Sequence, residues 1–212
     1  MQINEIFRSI SGESIQAGKL AIFIRTQHCP LTCSYCDTTY ALSGDNYTIM
    51  SVDEILRFIE QWSTKYVVFT GGEPLIQPDA FELVAKLIEL GYHVEVETCG
   101  AVDISDVVGT AGVTVTMDWK CPSSNMTSKM LETNLKLLTK DDVLKCVVGS
   151  EEDLNEMKRV SCLTRAQVFV SPVFGNIEPK EIVHYLEDNN LDNVRFQLQI
   201  HKYVWDKDMK GV

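Results

Sequence analysis

Short apolar runs recur along this chain with room for about one helix between each pair, and that alternation limits the available folds more than any other feature. The runs fall at residues 20–25, 66–70, 93–98, 113–118, 143–148, 167–171 and 194–200, after a shorter one at 3–7. Helix-patterned segments lie between several of them, at 51–62, 79–90, 128–138, 150–160 and 179–189. Ser51 with Glu54 three residues on reads as a capping box. Asp79 and Gly91 read as the start and stop of the next helix, with Phe81, Val84, Ala85 and Ile88 on one face. Strands and helices in this order imply an α/β fold with a mostly parallel sheet whose strands are buried on both faces. About six or seven units fall short of the eight in a closed (β/α)8 barrel. The expectation is therefore a partial (β/α)6-type barrel, formed as a single domain over residues 1–212.

Both barrels and open α/β sheets collect ligands at the carboxyl ends of their strands. The unusual residues of this chain fall there: Arg25 and then Cys29, Cys33 and Cys36; Thr70 and then Gly71-Gly72-Glu73; Glu97; Asp118-Trp119-Lys120; and Ser171-Pro172. A glutamate ending a buried strand is costly unless paired, so Glu97 is a candidate ligand-binding group. Three thiols within eight residues can gather on one metal centre, since thiolates favour zinc, copper(I) or iron–sulfur clusters. Structural zinc sites take four ligands, often as two close pairs, whereas here intervals of four and three residues leave no fourth Cys nearby. An iron–sulfur cluster with one open iron suits that spacing, with a zinc-binding interaction module as the non-enzymatic alternative.

Composition narrows the partners. The net charge of −11, from 19 basic and 30 acidic side chains, would repel nucleic acid and gives an anionic membrane little to hold. Isolated basic residues near the cysteine loop, namely Arg25, Lys120 and Lys202, are then candidates for meeting an anionic substrate. Seven cysteines, an odd number, and an N-terminus without signal character point to a reducing cytoplasm. Cys99, Cys121, Cys146 and Cys162 are too far apart in sequence for a second cluster and read as structural thiols.

Cys29, Cys33 and Cys36, with Tyr35 before the last, match C-x3-C-x2-C, and the chain here resembles the radical S-adenosylmethionine (SAM) superfamily. Gly71-Gly72-Glu73 resembles that superfamily's GGE motif. Adding Cys36-Asp37-Thr38, Ser11-Gly12-Glu13, Phe23-Ile24-Arg25 and Gln199-Ile200-His201-Lys202-Tyr203, nearly the whole chain resembles the 7-carboxy-7-deazaguanine synthase family of queuosine and deazapurine biosynthesis. Ser14 stands where the family often has glycine, and Asp118-Trp119-Lys120 where many relatives have Ser-Pro-Lys.

The resemblance implies a [4Fe–4S] cluster on the three cysteines, SAM cleaved to a 5′-deoxyadenosyl radical, and Mg²⁺ on Thr38. The implied reaction converts 6-carboxy-5,6,7,8-tetrahydropterin to 7-carboxy-7-deazaguanine with loss of ammonia. Ile10, Ser11, Gly12, Glu13, Thr70 and His201 would line the pterin pocket, and Arg25 would meet the carboxylate. Tyr35, Asp37, Gly72, Glu97, Asp118, Trp119, Lys120, Ser171, Pro172, Val173 and Phe174 would serve SAM, and the chain runs on to Lys210-Gly211-Val212 where the family's terminal carboxylate can touch substrate. An electron donor such as flavodoxin and a homodimer are also implied. A radical SAM enzyme that activates a glycyl radical on a partner protein shares the cysteine loop and GGE, and is the alternative reading.

Overall fold

Alternation within the apolar runs, rather than apolarity on both sides, builds the sheet. In the computed structural model, which describes residues 1–206 and 209–211, nine strands lie in the order β3-β1-β2-β4-β5-β6-β7-β8-β9. β1 (Gln2–Ile10) runs antiparallel to β2 (Leu20–Thr26), and β3 (Thr48–Ile49) pairs antiparallel on its outer edge. From β2 onward every pairing is parallel: β4 (Tyr66–Gly71), β5 (His93–Thr98), β6 (Val113–Trp119), β7 (Val143–Val148), β8 (Gln167–Pro172) and β9 (Val194–Phe196). Helices α1 (Val52–Ile59), α2 (Ala80–Glu89), α3 (Glu132–Leu137), α4 (Glu151–Ser161) and α5 (Pro179–Asp188) supply the crossovers, except between β5 and β6, where turns do so. β3 and β9 are the two edges, so the sheet is an open, partial barrel.

One face of each parallel strand meets the helices. Ile22, Ile24, Val67, Phe69, Val94, Val96, Val115, Met117, Leu144 and Cys146 are fully buried there in one core. The residues between them point the other way, into the barrel, and there the expectation of strands apolar on both faces fails. The interior carries Glu95, Glu97, Thr116, Asp118 and Lys145, with a small apolar floor of Ala21, Tyr66 and Val68 under Phe23. Buried polar groups are tolerable only when paired, and these are. Glu95 accepts hydrogen bonds from the Tyr66 hydroxyl and from Thr116 Oγ1, and Thr116 Oγ1 lies 2.8 Å from Ser14 Oγ.

Local signals account for several boundaries. Ser51 and Glu54 form the capping box that opens α1, and Ser150 caps α4 through Asp153 N. Asp79 starts α2 without a side-chain cap; its carboxylate instead stands 3.5 Å from the Met1 amine. The buried face of α2 is Ala80, Leu83, Val84 and Leu87, a different stripe from the Phe81-Val84-Ala85-Ile88 face expected. Phe81 remains 39% exposed, because Ala80 is the residue pressed into the core. The helix expected over 128–138 is shorter, with a 3-10 turn at Thr127–Lys129 before α3.

The last strand is shorter than the run at 194–200, because its tail leaves the sheet to meet the loop after β1. Gln197 Oε1 accepts from Ser14 N at 2.7 Å and its Nε2 donates to Ser14 O at 3.0 Å. Gln199 Nε2 donates to Glu13 Oε1 at 2.8 Å, and Ile200 N donates to Gly12 O at 3.0 Å. These contacts bridge the barrel's open side, and α6 (His201–Val204) begins directly after them. They also hold Ser14 at φ 67°, a left-handed conformation that costs a serine more than a glycine.

Candidate active site

The cysteine loop leaves β2 at Thr26 and is fixed at its base by the glycines after β4. Gly72 N donates to Thr26 O at 3.0 Å, and Glu73 N to His28 O at 2.8 Å. A Cβ on Gly72 would lie 2.2 Å from the His28 carbonyl oxygen and 2.7 Å from that of Ala41, so only glycine permits this approach. Glu73 is fully buried and accepts from Leu75 N, Thr98 Oγ1 and Cys99 N at 3.0, 2.9 and 2.7 Å, which ties the end of β4 to the end of β5. The far side of the loop rests on the next strands: Ser34 N donates to Ser124 O at 3.1 Å, and Tyr35 Oη to Val147 O at 3.2 Å.

Cys29, Cys33 and Cys36 all line one cavity of about 990 Å³ at the carboxyl end of the barrel, and none of the seven cysteines is in a disulfide. Burial pushes the Cys33 and Cys36 thiols up while Lys120 opposes it; a hydrogen bond with Cys99 holds Cys29 below the usual thiol range. Among the described residues no three His, Cys, Asp or Glu side chains stand close enough to share a single metal ion. A mononuclear thiolate zinc site, with sulfurs about 2.3 Å from one ion, demands that closeness. A cluster does not, since each thiolate takes a different iron. Three half-buried thiols on one wall, beside a glycine cradle and the Lys120 cation, fit a cluster better than zinc.

The same cavity is also lined by charges, Glu13, Asp118, Lys120 and Lys145. Lys145 Nζ lies 2.9 Å from Glu13 Oε2 and 3.2 Å from Asp118 Oδ1, and Lys120 Nζ lies 2.9 Å from Asp118 Oδ2. Burial opposes the Lys145 charge, but Asp118, Glu13 and Glu97 outweigh it and raise its pKa well above the ordinary lysine value. Burial also opposes ionisation of Asp118, yet Lys120 and Lys145 keep its pKa lowered. For Glu97 burial wins: its pKa rises to about 7, with Glu95 and Glu13 adding to the rise and Lys145 and the Thr70 hydroxyl restraining it.

Arg25 is not free to meet a carboxylate with its whole fork, since its Nε donates to Glu5 Oε1 at 2.8 Å and the same oxygen accepts from Tyr40 Oη at 2.8 Å. Thr38 Oγ1 donates to Asp37 Oδ1 at 3.1 Å, and Asp37 pairs with Lys202 at 3.1 Å. Burial would raise Asp37, but Lys202 prevails and its pKa falls to about 2. Mg²⁺ keeps several waters and takes few protein oxygens, so a single hydroxyl on the cavity wall is compatible with it.

Most residues expected at the site line this cavity: Ile10, Gly12, Glu13, Arg25, Tyr35, Asp37, Thr38, Thr70, Gly72, Glu97, Asp118, Lys120, Val173, Phe174 and His201. Ser11, Trp119, Ser171 and Pro172 do not. Trp119 is a correction: it is 2% exposed within the helix-side core and its Nε1 donates to Glu156 Oε1 at 2.9 Å, because it alternates with the inward Asp118. Ser11 turns its hydroxyl to Glu13 O at 3.0 Å, while Ser171 is fully buried. His201 opens α6 instead of ending a strand, packed so closely on Gly12 that a Cβ there would lie 2.0 Å from Nδ1. Val212 lies outside the described residues. Sequence reasoning missed Lys145, although a lysine inside the run Val143-Leu144-Lys145-Cys146-Val147 is as costly unpaired as the glutamate it noticed. It also missed the Glu5 and Tyr40 partners of Arg25, and it named Gln199 only within the closing motif, without the contact to Glu13 that brings it to the site.

An open parallel barrel with three loop cysteines after its first parallel strand defines a class. Residues 23–147 match the family model described as the Radical SAM superfamily. The 7-carboxy-7-deazaguanine synthase of Clostridium acetobutylicum is 39% identical over 218 residues, spanning 100% of this chain and 99% of that protein. Its counterpart from Thermoplasma acidophilum is 36% identical over 214 residues, spanning both chains completely. By these relationships the chain belongs to the 7-carboxy-7-deazaguanine synthase family of radical SAM enzymes. The fold agrees: the crystal structure of QueE from Escherichia coli matches with a TM-score of 0.79 at 24% identity, covering 94% of each chain. Streptococcus suis SuiB shares the fold more loosely, at a TM-score of 0.60 and 16% identity over 83% of this chain and 48% of that one. The relatives named above favour a small-molecule synthase over the glycyl-radical alternative.

Proposed function

We propose that this chain, acting as one domain, contracts the ring of 6-carboxy-5,6,7,8-tetrahydropterin to give 7-carboxy-7-deazaguanine and ammonia, feeding deazapurine or queuosine synthesis. The observation that carries the reading is one cavity lined by three thiols outside any disulfide and by Glu13, Arg25, Thr70, Glu97 and His201, in a chain whose named relatives are synthases of this kind. Cys29, Cys33 and Cys36 would hold the [4Fe–4S] cluster, which with SAM bound supplies the radical that starts the reaction. Gly72 keeps backbone close to the cofactor side, and Tyr35, Asp37, Asp118, Lys120, Val173 and Phe174 border it. Lys145 pairs with Glu13 and Asp118 and helps keep the Asp118 pKa lowered, while Glu97, with a pKa near 7, is able to take or give a proton close to neutrality. Thr38 would place one hydroxyl on Mg²⁺. Arg25, with its Nε on Glu5, would offer the remaining edge of its guanidinium to the substrate carboxylate.

A flavodoxin-type electron donor and a homodimer belong to the proposal on family resemblance. A reducing cytoplasm agrees with seven free cysteines, and among the described residues no helix is long and apolar enough to cross a membrane. The test is anaerobic incubation of reconstituted, reduced protein with SAM, Mg²⁺ and the carboxytetrahydropterin, with products identified by mass. 7-Carboxy-7-deazaguanine together with ammonia is expected. SAM cleavage without the deazaguanine would refute the substrate.

A further inference from the structure

Among the described residues, the cavity holds a buried, uncharged amide oxygen that no donor meets. Gln199 is 7% exposed, lines the cavity beside Gly12, Glu13 and His201, and finds no hydrogen-bond donor for its Oε1 among the described residues. The orientation of the amide is fixed by chemistry. Its other end faces Glu13 Oε1 at 2.8 Å, and Glu13 is bound through Oε2 to the Lys145 ammonium at 2.9 Å. An ionised carboxylate accepts only, so the NH2 must point at Glu13 and the oxygen must point away. A buried carbonyl without a partner is costly, and native proteins rarely leave one without a ligand or water to meet it. Glu13 itself already accepts once on each oxygen, which leaves Gln199 Oε1 as the open acceptor in this corner.

We propose that Gln199 is a substrate-binding, specificity-determining residue whose amide oxygen accepts an N–H from the aminopyrimidinone edge of the pterin. The assignment rests on the pterin reading above and deepens it. That edge of the substrate offers two adjacent donors, the 2-amino group and ring N3–H, and a neutral acceptor held by a clamped amide suits either. Glu13 positions the amide, and Lys145 positions Glu13. The Gln197 and Gln199 clamps that bridge the barrel's open side then have different tasks: Gln197 uses both ends of its amide on Ser14, whereas Gln199 keeps one end for the ligand.

The test measures dissociation constants by calorimetry, with SAM bound and no reductant present, for the carboxytetrahydropterin and for its 2-desamino and N3-methyl analogues. Wild type should bind one of the two analogues about 10- to 100-fold more weakly than the parent. Gln199→Met, close in size but without the oxygen, should bind the parent weakly by a similar factor, lose that discrimination, and leave SAM affinity within twofold. Equal binding of all three ligands by wild type overturns the assignment without recourse to a variant. So does a folded Gln199→Met that still discriminates. If wild type binds no pterin at all, the function proposed above falls and this role falls with it; pterin binding and turnover with unchanged discrimination in Gln199→Met removes Gln199 alone.

Discussion

Replacing Lys145 with methionine removes the cation shared by two carboxylates inside the barrel. The ammonium is buried, 2.9 Å from Glu13 and 3.2 Å from Asp118, and its neighbours lose unequally. Asp118 keeps Lys120 at 2.9 Å, so Glu13 is the group left without a cation, holding only the Gln199 amide. Breaking a buried pair from one side costs about 3–5 kcal/mol. Urea denaturation of Lys145→Met at pH 7 should therefore show a loss of about 3–5 kcal/mol. Adding Glu13→Gln should recover more than half of the loss at pH 7. A loss below about 1 kcal/mol at pH 7, or additive effects of the two substitutions, would refute the reasoning.

Gly72→Ala should displace the cysteine loop, because the added carbon meets the His28 carbonyl 2.2 Å away; iron bound per chain after reconstitution should fall, and wild-type iron content would contradict the cradle. Trp119→Phe should cost about 1 kcal/mol through the lost bond to Glu156 and leave SAM affinity within twofold. A tenfold weaker SAM complex would return Trp119 to the site. Glu97, whose folded pKa of about 7 lies above the ordinary 4.5, binds protons more readily folded than unfolded, so its contribution to stability declines as pH rises from 4.5 to about 7. Burial lowers the His201 pKa and gives the opposite slope, so the informative quantity is the difference between wild type and Glu97→Gln, which should grow across that window in favour of the variant. A difference flat with pH would place the Glu97 proton elsewhere.

Signals confined to a few residues were legible in the sequence. The cysteine loop, the Ser51 capping box and the seven parallel strands needed only local spacing, and the strand ends bring most, though not Trp119, Ser171 or Pro172, of the expected residues to one cavity. What failed depended on partners distant in sequence. The outward turn of Trp119 follows from strand alternation, which a run of mixed residues such as Asp118-Trp119-Lys120 does not reveal by itself. The phase of α2 was ambiguous because residues 80–88 offer two apolar stripes, and contact with the sheet selects the one containing Ala80. The early end of β9 depends on Gln197 and Gln199 reaching Ser14 and Glu13, 183 and 186 residues away. The pairing of Arg25 with Glu5 and Tyr40 likewise spans separate elements, so charge alone suggested a freer guanidinium than the fold provides.

The most direct measurement is iron and acid-labile sulfide content with the visible spectrum of the anaerobically reconstituted chain, before and after SAM is added. About four irons per chain, a spectrum that responds to SAM, and loss of both in Cys29→Ala, Cys33→Ala and Cys36→Ala are predicted. A colourless protein that binds one zinc, or a cluster retained after any of those three cysteines is removed, would contradict the account.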